Sequence, residues 1–146
     1  MDPLAIVDKA WPLARHIANL HALAYRLTGG LIGHRSPVPT LLLEHTGAKS
    51  GARRQSPLAY FRDGDDLVVV ASKGGYPQHP AWYHNLRANP ETTVRVKDRT
   101  IPVRARTANP EERERLWPEA VRHNRSFELY QRRTDREIPV VLLEPV

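Results

Sequence analysis

Glu44-His45-Thr46-Gly47-Ala48-Lys49-Ser50-Gly51-Ala52-Arg53-Arg54-Gln55-Ser56-Pro57 joins two runs of strand-forming residues, 38–44 before it and 58–62 after it. Strand, glycine-flanked turn and strand make an antiparallel pair, and that pair sets the fold class for the rest of the chain. Glycine permits tight backbone geometry and close approach of a ligand. Lys49, Arg53 and Arg54 put three positive charges on or beside the turn, with Thr46, Ser50 and Ser56 as neutral donors. Backbone N–H groups and cations converging on one turn suit an anion that carries several negative groups. A Walker loop is excluded, because Gly47 and Lys49 are too closely spaced and no helix is predicted to follow.

The spacing predicts strands over 40–45 and 55–62, then a hairpin turn at Asp63-Gly64-Asp65-Asp66. Residues 67–72, Leu-Val-Val-Val-Ala-Ser, read as a buried strand that ends at Lys73-Gly74-Gly75-Tyr76-Pro77. A short helix is expected over 80–88, with Pro80 at a favourable first position and Asn89-Pro90 as its stop. Residues 92–97 and 100–105 form a hairpin about Asp98-Arg99, and Asn109-Pro110-Glu111-Glu112 opens a helix towards residue 122, with Pro118 as a point of interruption. A further helix covers 126–133 and a closing strand 138–144. Six short strands, mostly joined by hairpins and with helices only between some, predict a mainly β, α+β domain over 37–146. Its expected form is a small antiparallel barrel with helical insertions.

Ahead of it, 1–36 reads as an amphipathic helical segment and linker. Ile6, Ala10, Leu13, Ile17, Leu20, Ala24 and Leu27 recur at three- and four-residue steps, and Lys9, Arg15, His16, Asn19 and Arg26 lie largely off that stripe. Two roles stay open for it. One is a helix packed on the domain; the other is an interfacial segment that touches a membrane surface.

The chain has 146 residues, 40% of them hydrophobic and 26% charged, which suits one globular domain with a core of its own. No cysteine is present, so disulfides, thiolate metal sites and thiol nucleophiles are excluded. The net charge of +6 favours an acidic partner. The basic residues are dispersed, and aromatics are only 7% with no stacking pattern, so nucleic acid is not the expected partner. No apolar run approaches the ~20 residues that span a bilayer. The features of a signal peptide are absent, and cytoplasmic residence is expected, with contact at the inner face of the cell membrane if the helix at 1–36 is interfacial.

Side chains alone announce no reaction. The histidines are scattered, and His79 and His84, five apart near one helix, are expected to point to different sides, so no metal site is expected. A Gly-x-Ser-x-Gly elbow is absent, and no carboxylate pair is marked out. What the chain offers is a set of cofactor-binding groups. Lys73 sits where a buried strand meets Gly74-Gly75, and Trp82, Tyr83 and Asn85 follow on the short helix. Rings can wall a planar heterocycle, while amides and lysines fix its carbonyls and phosphate. Trp82 and Tyr83 suit core packing equally well, and the cations suit a solvated hairpin tip.

Several ordered segments carry a resemblance: Leu41-Leu42-Leu43, Thr46-Gly47-Ala48-Lys49-Ser50-Gly51, Pro57-Leu58, Val69-Val70-Ala71-Ser72-Lys73-Gly74, Pro80-Ala81-Trp82-Tyr83-His84-Asn85-Leu86, Asn89-Pro90 and Thr134-Asp135-Arg136-Glu137-Ile138-Pro139-Val140. Over about residues 38–145 the chain resembles the deazaflavin-dependent nitroreductase family of actinobacteria. That resemblance implies a split β-barrel of the flavin/deazaflavin-reductase type and coenzyme F420, a two-electron hydride carrier with a phosphate and an acidic oligoglutamate tail. It implies that Ala48, Lys49 and Ser50 meet the phosphate and tail, with Arg54 as a second cation. Gln55, Ser56, Pro57, Leu58 and Ala59 would line the coenzyme along the second strand. Val70, Ala71, Ser72 and Lys73 would approach from the third, and Ala81, Trp82, Tyr83, His84 and Asn85 would complete the site.

In the nitroimidazole-activating member of that family, tyrosines stand at the positions of Asn124 and Phe127, while Tyr130 is shared. Phe127 and Tyr130 are expected to cover the substrate face, and Phe127 lacks the hydroxyl that would donate to a reduced substrate. The resemblance thus implies an F420-dependent oxidoreductase that passes hydride to a small electron-poor acceptor: a quinone, an activated alkene or a nitro compound. The alternatives are an FMN-binding reductase of the same barrel type and a non-catalytic deazaflavin- or membrane-associated binding protein.

Overall fold

The computed structural model describes residues 38–146, and the helix expected over 1–36 lies outside the described residues. Seven strands form one antiparallel sheet: β1 (Thr40–Thr46), β2 (Arg53–Ala59), β3 (Phe61–Asp63), β4 (Asp66–Val70), β5 (Glu91–Val96), β6 (Arg99–Thr107) and β7 (Val140–Pro145). Their order across the sheet is β2-β1-β5-β6-β7-β4-β3. β2 and β3 are therefore the two edges, yet Tyr60 alone separates them along the chain. A sheet whose edges are joined through one residue must curl until those edges meet, which is the geometry of a split barrel.

The strand expected over 55–62 is thus two strands. Ala59 ends the pairing with β1, Phe61 begins the pairing with β4, and between them the Tyr60 N–H donates to the Pro39 carbonyl at 3.1 Å. Hydrophobic pattern could not reveal this break, because the chain stays extended while changing partners.

The curl separates two cores. Inside lie Leu41 and Leu43 of β1, Val94 and Val96 of β5, Val103 and Ala105 of β6, Val141 and Leu143 of β7, and Leu67, Val69 and Ala71 from β4 and its end. Helix α1 (Ala81–Ala88) closes this space with Trp82, Tyr83 and Leu86. On the other face Val68, Val140, Leu142 and Phe61 pack against Leu116 and Ala120 of α2 (Pro110–His123), with Val70, Trp117 and Phe127 at the margin. Both faces of β4 are covered, which explains its unbroken apolar run. Each fully buried Leu or Val contributes ~1.5–3 kcal/mol.

Asn109 caps α2 as its sequence predicts: its side chain accepts from Glu112 N at 2.9 Å, and the Glu112 carboxylate accepts from Asn109 N at 3.0 Å. Such a cap contributes about 1 kcal/mol. Pro118 does not interrupt α2. Both Glu114 and Pro118 are exposed, so the carbonyl that loses its donor lies on the solvent side. Helix α3 (Ser126–Arg133) follows and packs against the tight turn at Lys73–Gly75.

Candidate functional site

The turn between β1 and β2 is closed by two backbone bonds, Gly47 N to Ala52 O at 2.8 Å and Gly51 N to Gly47 O at 2.9 Å. Gly51 takes φ +69°, a left-handed conformation that L side chains rarely adopt. A chain of side-chain bonds anchors the turn from inside. Ala48 N donates to Asn85 Oδ1 at 2.9 Å, Asn85 Nδ2 meets His45 Nδ1 at 2.9 Å, and His45 Nε2 meets Ser56 Oγ at 2.9 Å.

The directions of these bonds follow from the first. A backbone N–H can only donate, so Asn85 presents its carbonyl oxygen to Ala48 and its amide hydrogens to His45. His45 Nδ1 then accepts and Nε2 carries the hydrogen, so Ser56 Oγ accepts and its own hydroxyl hydrogen is left to donate. His45 and Asn85 are 5% and 7% exposed. Burial, aided by the charge of Arg54, pushes the His45 pKa down to about 4, which keeps the ring neutral and the chain of bonds intact near pH 7.

Beside this chain lies a cleft of about 460 Å³ lined by Glu44, His45, Thr46, Arg53, Arg54, Gln55, Glu91, Thr92 and Thr93. Lys49, Arg53 and Arg54 are exposed and form no ion pair among the described residues, whereas Arg104, Arg106, Arg115, Arg122 and Arg132 are each paired with a carboxylate. The charges of the turn are thus not neutralised by carboxylates of the described residues.

Strand pairing sorts the candidate residues by face. Leu41 pairs Leu58, Leu43 pairs Ser56 and His45 pairs Arg54, which puts Arg54, Ser56 and Leu58 on the inner face with the anchoring chain. Gln55, Pro57 and Ala59 lie on the opposite face. Ala48, Lys49 and Ser50 are exposed at the turn. The amide of Ala48 is already taken by Asn85, and the Ser50 hydroxyl accepts from Ala52 N at 3.2 Å. In α1, Trp82 and Tyr83 belong to the inner core, and the Tyr83 hydroxyl meets Thr107 Oγ1 at 2.8 Å. Ala81 and His84 are exposed, and Asn85 is the residue of that helix that reaches the turn.

Val70 packs at the margin of the outer core and Ala71 in the inner one, while Ser72 and Lys73 form the sharp bend that follows β4. Phe127 shares the outer margin with Val70 and meets Trp117 and Tyr130, each with ring centroids 6.4 Å apart. His79 and His84 do not diverge as expected. His79 precedes the helix, and its ring meets that of His84 edge-on at 5.6 Å. No group of three or more metal-ligating side chains occurs among the described residues.

Two residues of the site escaped the sequence reading. His45 is visible only through register: it continues the Leu41, Leu43 face, opposite Ser56 and Arg54. Arg136 lies in a segment that the resemblance includes, but nothing local shows that it reaches back about sixty residues to the bend after β4.

The family described as F420H(2)-dependent quinone reductase matches residues 17–145. This chain belongs to that family. An F420H(2)-dependent quinone reductase of Mycobacterium tuberculosis is 45% identical over 140 residues, covering 90% of this chain and 94% of the relative. A solved F420-H2 dependent reductase shares 44% identity at a TM-score of 0.66, covering 73% of this chain and 94% of that one. A second solved chain, described as a domain-swapped dimer, shares 38% identity at a TM-score of 0.69 and covers 94% of this chain and 98% of that one.

As a member of the quinone reductase family, the protein is an oxidoreductase whose coenzyme is F420, and its curled antiparallel sheet is the family's split barrel. The side chains fit such a coenzyme: three cations that form no ion pair among the described residues stand at one turn, and a donor hydroxyl on Ser56 is oriented by a buried neutral histidine. In this quinone reductase family member, F420 is the group that carries hydride.

Proposed function

We propose that this protein passes hydride from F420H2 to a quinone, with the coenzyme's phosphate and acidic tail held at the turn between β1 and β2. The observation that carries the reading is the Ala48–Asn85–His45–Ser56 chain, which fixes a turn whose cations form no ion pair among the described residues. When bound, F420H2 supplies the hydride. Lys49 and Arg54 attract the anionic end, Ser56 donates a hydrogen bond from the inner face, and Ser72 and Lys73 border the ring. Phe127 and Tyr130 limit the acceptor's approach from α3, with the Tyr130 hydroxyl as the donor of that pair. Orienting the two reactants and excluding water is the protein's part of the rate.

Quinones are apolar, and the amphipathic segment at 1–36 is proposed as a lid or interfacial anchor at the inner membrane face that brings the barrel to them. The deciding experiment follows F420H2 absorbance under anaerobic conditions with a soluble quinone added. Oxidation that saturates with quinone supports the reading. Tight coenzyme binding without turnover on any quinone would leave a carrier protein instead, and binding of FMN in preference to F420 would reject the assignment of the turn.

A further inference from the structure

After β4 the chain bends through Ser72 (φ −79°, ψ −39°) into three consecutive residues of positive φ: Lys73 at 45°, Gly74 at 62° and Gly75 at 79°. Lys73 is one of two non-glycine described residues in that region, and its Cβ makes the conformation unfavourable on its own. Something must hold it.

The Arg136 guanidinium does so. Its Nε donates to Tyr76 O at 2.8 Å, Nη2 to Ser72 O at 2.7 Å, and Nη1 to Ala71 O at 3.3 Å and to His79 Nδ1 at 2.9 Å. Four of its five N–H groups are thereby spent on one bend and the residue beyond it. Burial pushes the guanidinium pKa down from its ordinary value, but an arginine keeps its charge in proteins. The Arg136 carbonyl accepts from Gln131 Nε2 at 2.8 Å, so the clamp is itself tied to α3.

Peptide planarity gives the consequence. In a trans peptide the C=O and the N–H point in opposite directions. The carbonyls of Ala71 and Ser72 face Arg136, so the N–H groups of Ser72 and Lys73, in the same two peptide units, face away from it. No described residue accepts from either. A right-handed residue followed by a left-handed one forms the concave arrangement of amides that receives anions. A cation at the carbonyl end of each unit strengthens its N–H as a donor.

We propose that Arg136 is a positioning residue: it aims the Ser72 and Lys73 amides as a paired donor for an electron-rich oxygen or nitrogen of the coenzyme ring, without touching the coenzyme itself. This rests on the reading that the bend after β4 borders F420. The direct test is amide NMR of the wild-type chain titrated with F420. Downfield movement of the Ser72 and Lys73 amide protons is expected, and unmoved resonances with F420 bound elsewhere would overturn this inference alone. Absence of F420 binding would overturn both it and the reading beneath it.

Two variants separate positioning from bulk stability. Arg136→Lys keeps the charge but cannot bridge three carbonyls, so its F420 affinity should fall about tenfold or more. In Arg136→Ala, millimolar guanidinium should restore affinity while methylammonium at equal ionic strength does not. Wild-type affinity in folded Arg136→Lys, or rescue by both cations alike, would reject the clamp. If the variants do not fold, the wild-type amide shifts still decide.

Discussion

Gly75 lies so close under Tyr130 that a Cβ at residue 75 would stand 2.7 Å from the Tyr130 carbonyl oxygen and 3.0 Å from its Cα. The bend after β4, assigned to the coenzyme, and helix α3, assigned to the acceptor, are in van der Waals contact there. Backbone cannot move aside as a side-chain tip can, and Gly75 has φ +79° besides. Gly75→Ala is therefore expected to destabilise by about 1–3 kcal/mol and to displace α3. Urea unfolding together with quinone KM checks it: a stability loss with unchanged KM would show that α3 does not border the acceptor.

His45 supplies a pH prediction. Unfolded, it takes up a proton near 6.5; folded, it resists until about 4. Between these values the unfolded state holds the extra proton, so its contribution is complete above pH 6.5, is lost as pH falls towards 4, and is flat below. His45→Gln removes that titration. Urea midpoints from pH 7 to 4 should fall less steeply in the variant than in wild type, and parallel slopes would show that His45 is not held neutral.

Lys49 and Arg54 are expected to hold the anionic end of the coenzyme. A charge-assisted hydrogen bond contributes ~1.5–3 kcal/mol, so Lys49→Ala or Arg54→Ala should weaken F420 binding by roughly tenfold to a hundredfold. The lost interaction is electrostatic and the turn is exposed, so wild-type affinity should fall with salt more steeply than that of either variant. Titration calorimetry at two or more ionic strengths checks this, and equal salt slopes count against the assignment.

Phe127→Tyr adds a hydroxyl to a half-buried ring between Trp117 and Tyr130. Ring volume is nearly unchanged, so stability should hold. If the position faces the acceptor, general-acid assistance of ~10²-fold is the available scale, and nitroimidazole turnover should rise with F420 affinity unchanged. No rate gain with any polar acceptor would place Phe127 in the outer core alone; a large loss of F420 binding would place it in the coenzyme wall.

Deletion of residues 1–30 tests the proposed division of the chain at 36–37. F420 binding should persist, while association of the full chain with anionic liposomes should be lost. The family match begins at residue 17, so a second deletion of 1–16 separates the two parts of the segment. An unfolded 1–30 truncate by circular dichroism would make the helix part of the core.

The sequence by itself determined the local structure and the family. Continuous apolar runs, the Asn109–Glu112 helix start and the glycine-flanked turn are properties of neighbouring residues, and each was legible because its physics acts within a few positions. The ordered motifs, read together, named the coenzyme. Tertiary structure alone decided the rest. A single buried Tyr60 changes strand partners, which turns one expected strand into two and brings the edges of the sheet together. Register decides that Ser56 and not Gln55 faces the inner side, because a period of two assigns faces only once a partner is fixed. His45 meets Asn85 across forty residues, and Arg136 meets Ser72 across sixty-four. His45 is buried and Arg136 partly buried, and the partners of both lie far along the chain, so their roles follow from three-dimensional closure and leave no local pattern to read.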